Sequence, residues 1–167
     1  MKQESLPPIK TVYHALENAA VDIYGFAVVC HGGATWSAEP DMMDALLLGL
    51  ESFWFVDGVD GQLSHREFRE ELFRAVWDKC KESGREKPMP ARIGTEVPMG
   101  HDEMAFYHLP QLPRAALYLR TKKRFSYASI ALVVGGSEGV VRSEVEKARE
   151  FLLGRRVRAM EWSEDNF

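Results

Sequence analysis

Tyr127-Ala128-Ser129-Ile130-Ala131-Leu132-Val133-Val134-Gly135-Gly136-Ser137-Glu138-Gly139 is the stretch on which the fold class turns. The run 130–134 is apolar at every position and closes on two glycines, the pattern of a short strand buried on both faces in the middle of a sheet. Tyr24-Gly25-Phe26-Ala27-Val28-Val29-Cys30 has the same apolar character, and His31-Gly32-Gly33 behind it suits a tight turn. Residues 91–97 and 114–120 add two weaker strand candidates. In the second, Leu117 and Leu119 alternate with Tyr118 and Arg120, and this segment lies close enough to 127–134 to form a hairpin.

Around these runs the spacing is helical. Ile9, Val12, Tyr13, Leu16 and Ala20 form one stripe behind the paired prolines Pro7 and Pro8, which suit a first helical turn. Ser37-Ala38-Glu39-Pro40 opens a second helix, with Met43, Leu46, Leu47, Leu50 and Trp54 expected on its buried side and Asp41, Asp44 and Glu51 opposite. Ser64-x-x-Glu67 is a capping box, with Leu63 and Phe68 placed to close a hydrophobic staple, so residues 65–83 are expected to be helical. Five prolines punctuate 85–113, where irregular chain is expected. A last helix is expected to be capped by Ser143 with Glu146 and stopped by Gly154. The order α-β-α-α-β-β-β-α predicts an α+β fold, one domain over 1–167 with three to four helices on a small mixed sheet.

The 167 residues are 46% hydrophobic and 28% charged, which excludes disordered, collagenous and coiled-coil chains. No stretch reaches the length of a membrane span, and the first residues lack the charged and then apolar sections of a signal peptide. Cys30 and Cys80 are expected to be free thiols in a reducing compartment, so the reading is cytoplasmic, with no membrane association. Charge is uneven: residues 1–60 carry two basic and nine acidic side chains, and 111–167 carry eleven basic and seven acidic. Arg120-Thr121-Lys122-Lys123-Arg124 and Arg155-Arg156-Val157-Arg158 make two basic runs.

Three stretches resemble functional motifs. Residues 57–68 resemble the later part of an EF-hand loop, but that register puts Val56 and Gly58 where calcium needs oxygen ligands. Gly135-x-Ser137-x-Gly139 resembles the nucleophile elbow of the α/β-hydrolase family, and His31-Gly32-Gly33 resembles that family's oxyanion loop. The resemblance implies a serine hydrolase using Ser137, yet no histidine follows His108 to complete the family's order. Residues 130–145 resemble the cofactor turn of knotted SPOUT-type RNA methyltransferases. That resemblance implies an α/β knotted fold that binds S-adenosylmethionine at Gly135, Gly136, Glu138 and Gly139, with RNA phosphates on the basic runs. Only 28 residues follow the glycine turn, a tight fit for a knotted tail.

No catalytic residue and no metal-ligand spacing stands out in the linear sequence, since Cys30 and His31 are adjacent and there is no CxxC or HExxH arrangement. The leading reading is a cofactor-free protein-interaction module, an inhibitor or immunity-type protein. Its expected contact is an acidic ridge of Asp41, Asp44, Glu51, Asp57 and Asp60 that meets a basic protein partner. Nucleic acid enters only under the methyltransferase alternative.

Overall fold

Ser126 Oγ accepts a hydrogen bond from the backbone N–H of Ser129 at 3.1 Å, and this N-cap starts a helix where the sequence suggested a strand. The structure, a computed structural model, describes residues 9–33, 35–55, 65–83 and 101–164, with side chains for 17–33, 38–48, 69–81 and 102–154. Seven helices make up the ordered elements among these residues: α1 (Ile9–Cys30), α2 (Thr35–Phe55), α3 (His65–Ser83), α4 (His101–Tyr107), α5 (Gln111–Thr121), α6 (Tyr127–Val134) and α7 (Glu138–Glu164). No strand occurs among them, so both the α+β expectation with its mixed sheet and the α/β knotted alternative are corrected to an all-helical fold.

Each misread segment has a physical reason. In α6, Ser129, Ile130 and Val133 are buried while Leu132 is 57% exposed, a helical stripe that a strand buried on both faces would not leave. Gly135 then ends the helix in the left-handed conformation at φ 74°, its N–H bonded to Ala131 O. Residues 24–30 continue α1, where Ile23, Phe26, Ala27 and Cys30 recur at helical spacing on the buried side. Residues 114–120 belong to α5, which buries Arg114, Ala115, Ala116, Leu117 and Leu119. Short apolar runs cannot be assigned to strand or buried helix by periodicity alone. The strand candidate at 91–97 lies outside the described residues.

The expected helix at 65–83 is α3, with Leu72, Phe73, Val76, Trp77 and Cys80 buried as the capping box and spacing implied. In α2 the buried stripe is rotated from the expected one. Ala38 and Ala45 are fully buried and Asp41 and Met42 partly so, while Met43 and Leu47 are about half exposed, at 49% and 53%. The small alanines let α1 and α3 approach α2 closely, and the larger leucine face is left outside. The expected stop at Gly154 and start at Ser143 are also replaced: α7 begins at Glu138 and continues through both.

Helices α1, α2 and α3 pack on one another. Helix α5 lies against both α1 and α7, and α6 lies against α3 and α7, so α5 and α6 join the two ends of the chain. Buried residues from both ends form one contiguous cluster. At its centre Phe73 stands 5.1 Å, centroid to centroid, from both Phe26 and Phe125, linking α1, α3 and the turn before α6. No described helix is long and apolar enough to cross a membrane.

Candidate functional site: a helix-turn-helix

Helices α6 and α7 are joined by the three residues Gly135, Gly136 and Ser137, a helix-turn-helix connection whose every turn is set locally. Gly135 stops α6, and Gly136 N–H also bonds Ala131 O at 3.1 Å. Ser137 then accepts from Val140 N–H at 3.3 Å through its hydroxyl and from Val141 N–H at 3.0 Å through its carbonyl, which caps α7. Val141, Val145 and Ala148 anchor α7 to the core, and the opposite face presents Glu138, Val140, Arg142, Ser143, Glu146 and Lys147.

The charge on that face is self-cancelling. Between 138 and 154 there are four glutamates and three basic residues. Arg142 pairs with Glu138 at 3.4 Å and Lys147 with Glu144 at 3.1 Å, so two of the three cations are neutralised within the helix. Glu138 also occupies the positive end of the helix dipole. Of the basic run at 120–124, Arg120 donates to Phe125 O at 2.9 Å and lies 4.5 Å from the Tyr127 ring, and Lys123 pairs with Asp22 at 2.7 Å. Lys122 and Arg124 are exposed. Side chains of the run 155–158 lie outside the described residues.

The other sequence candidates are dispersed. Gly135, Gly136, Glu138 and Gly139 are together and exposed, but a helix precedes them, so the strand-turn-helix context of both the methyltransferase and the hydrolase resemblance is absent. Asp41 faces inward, with Oδ2 2.5 Å from His31 Nε2 and 3.6 Å from Cys80 Sγ. Asp44 is exposed and pairs with Lys79 at 3.6 Å. Glu51 lies on α2 with its side chain outside the described residues, as are Asp57 and Asp60, together with most of the EF-hand-like stretch. Sequence reasoning missed the helix-turn-helix, whose signals were Ser126, Gly135 and Ser137 at the ends of an eight-residue helix. It also missed Arg114, which is 8% exposed. Its guanidinium donates to Val29 O at 2.7 Å, Leu109 O at 2.9 Å, Cys30 O at 3.2 Å and Tyr107 O at 3.3 Å.

No protein-family model matches the sequence, and no curated protein is significantly similar to it. Among solved structures, the chain is similar to one in the co-crystal structure of the sigma factor RpoE in complex with the anti-sigma factor NepR from Bartonella quintana. The match has a TM-score of 0.63 at 21% identity and covers 88% of this chain and 97% of that one. Over nearly its whole length, then, the chain shares the helical fold of that protein.

Proposed function

We propose that this chain is a protein-interaction module of sigma-factor shape that competes for a protein partner of the anti-sigma type, and so acts as an inhibitor of that partner. The observation that carries this reading is the charge of the helix-turn-helix face. A DNA-reading helix works within a positive field, because affinity for duplex comes chiefly from cations that displace the phosphate counterions. On α7, between 138 and 154, two of the three cations are instead paired to glutamates of the same helix, and a glutamate sits at its N-terminus. The fold likeness to a chain from a sigma factor and anti-sigma factor complex supports a protein as the occupant. Exposed Leu132 and Val140, 57% and 51% accessible on either side of the glycine turn, give that face an apolar centre of the kind protein partners cover. Asp44, with Glu51, Asp57 and Asp60, is the second proposed contact, for a basic patch on the same partner.

The test is affinity capture from the native host against two variants, with duplex DNA measured separately. Leu132→Glu with Val140→Glu should lose a stoichiometric protein partner while melting as the parent does. The Asp44→Asn, Glu51→Gln, Asp57→Asn and Asp60→Asn variant should weaken capture and its salt dependence. Duplex DNA should bind no tighter than the roughly 10⁻⁴–10⁻⁶ M of non-specific association. Sequence-specific duplex binding near 10⁻⁸ M, abolished by Lys122→Ala and Arg124→Ala, would replace the proposal with a DNA-reading one.

A further inference from the structure

Cys30 ends α1, His31 begins the turn after it, Asp41 lies one turn into α2 beyond Ala38, and Cys80 lies near the end of α3. The sequence separates these groups by up to 50 positions, but the fold brings them together. His31 Nε2, Asp41 Oδ2 and Cys80 Sγ all lie within 4.8 Å of one another. We propose that Cys80, His31 and Asp41 form a three-donor site for a divalent ion of zinc's size and softness, with the fourth tetrahedral position left to water. The proposal is independent of the partner reading above.

Three observations carry it. The donor set, one sulfur, one imidazole nitrogen and one carboxylate oxygen, is of a kind zinc takes, at ligand distances of about 2.0–2.3 Å. Those distances put donors about 3.3–3.8 Å apart in a tetrahedron, and Cys80 Sγ already stands 3.6 Å from Asp41 Oδ2. His31 and Asp41, at 2.5 Å, would separate by about 0.8 Å to admit an ion between them.

The donors also sit on a braced frame. Gln111 Nε2 donates to Cys30 O and to Cys80 O, each at 3.1 Å, so one side chain ties the two cysteine backbones together. Arg114 donates to the carbonyls of Val29 and Cys30 and so holds the end of α1 that leads into His31. His31 is presented by a tight turn in which Gly32 and Gly33 have φ of 66° and 89°.

The third observation is the misfit of the alternative chemistry. In a cysteine protease-like triad the imidazole lies between thiol and carboxylate, using one ring nitrogen for each. Here the imidazole and the thiol both approach the same oxygen of Asp41, and Cys80 has no solvent access. A thiol buried like this serves as a ligand once a cation replaces its proton. Metal entry would therefore release protons and pin α1, α2 and α3 to one another.

The reduced full-length protein, freed of metal with a chelator, is titrated with Co²⁺ and then Zn²⁺. We expect one equivalent of Co²⁺ to give the intense visible absorption of a tetrahedral site together with thiolate-to-metal charge transfer, both bleached by Zn²⁺. Zinc at about 100 times Kd should raise Tm by roughly 5–10 °C. His31→Gln and Asp41→Asn should each weaken binding by 10-fold or more, and Cys80→Ala should remove most of the charge-transfer band. Circular dichroism and metal-free Tm establish that each variant is folded. Absence of a tetrahedral cobalt spectrum and of a zinc-induced Tm shift in the folded wild type would overturn the site. So would zinc binding unchanged in all three variants, or isolation of the protein with a Cys30–Cys80 disulfide and no metal.

Discussion

Residues 17–81 and residues 111–154 are both built from helices, yet different interactions hold them. In the first region, Lys81 to Asp78 apart, the side-chain bonds run between distant parts of the chain. Asp22 reaches Arg69, His31 and Cys80 reach Asp41, and Gln111, from the second region, reaches back to Cys30 and Cys80. In the second, most bonds close within five residues: Thr121 to Leu117, Arg120 to Phe125, Ser126 with Ser129, Ser137 with Val140, Glu138 with Arg142, and Glu144 with Lys147. The second region is thus specified turn by turn, whereas the first depends on tertiary contacts that form only once α1, α2 and α3 have met. Local contacts carry little loop-closure cost, so the α5–α7 unit is expected to order early and to template the rest.

Arg114 is where the comparison is most easily broken, because it joins the two regions. From α5 its guanidinium satisfies carbonyls at the C-terminal end of α1, which are among the groups a helix end leaves unpaired, and also those that follow α4. Arg114→Met keeps much of the volume but removes the charged donor from Leu109 O. It also removes one of the two donors from Val29 O and from Cys30 O, which keep Gly32 N–H and Gln111 Nε2. With charge-assisted bonds worth about 1.5–3 kcal/mol each, the loss should be about 3 kcal/mol or more in urea unfolding. A cost below about 1 kcal/mol would mean that the two regions stand without this link.

Gly135→Ala addresses the local side of the comparison. Nothing lies within 4 Å of the added Cβ, so the cost is confined to holding φ at 74° with an L side chain, about 1 kcal/mol. Hydrogen exchange should quicken at the end of α6 and the start of α7 and leave α1–α3 unchanged. Equal loss of protection in both regions would show that they unfold as one unit.

How much of this was legible in the sequence follows the same division. Helix α3 was readable to its end residues because Ser64-x-x-Glu67 and a four-residue apolar repeat lie within a few positions of each other. Helix α6 carries equally local signals in Ser126 and Gly135, but the unbroken apolar run between them outweighed the caps, and a run of that length fits a buried strand as well as a buried helix. Helix α1 was divided at Tyr24 for the same reason. The inward turn of Asp41 had no sequence signal at all. A carboxylate at helical spacing from Asp44 and Glu51 reads as a solvated face until the fold supplies His31 and Cys80 as neighbours. For a constellation assembled from three helices, linear spacing is silent, and only packing reveals it.

The smallest effect expected at neutral pH is the loss of Asp22, whose ion pair with Lys123 connects the regions by charge while its pair with Arg69 lies within the first. Its carboxylate is half-buried between Lys123 at 2.7 Å, which follows α5, and Arg69 at 2.8 Å on α3. Burial alone would raise its pKa, but hydrogen bonds from Lys123 and Arg69 and their charges outweigh that and hold it below the ordinary aspartate value. Because the folded-state pKa is the lower one, the unfolded chain binds the proton first as pH falls. The stabilisation is complete above the ordinary aspartate range and is lost through the lowered folded value. Asp22→Asn should therefore cost at most about 1 kcal/mol near pH 7, as partly exposed pairs do, and less in high salt. The difference between wild type and variant should shrink steadily on acidification through the carboxylate range. A difference independent of pH would assign the role of Asp22 to packing and leave Arg114 and Gln111 as the polar connections between the two regions.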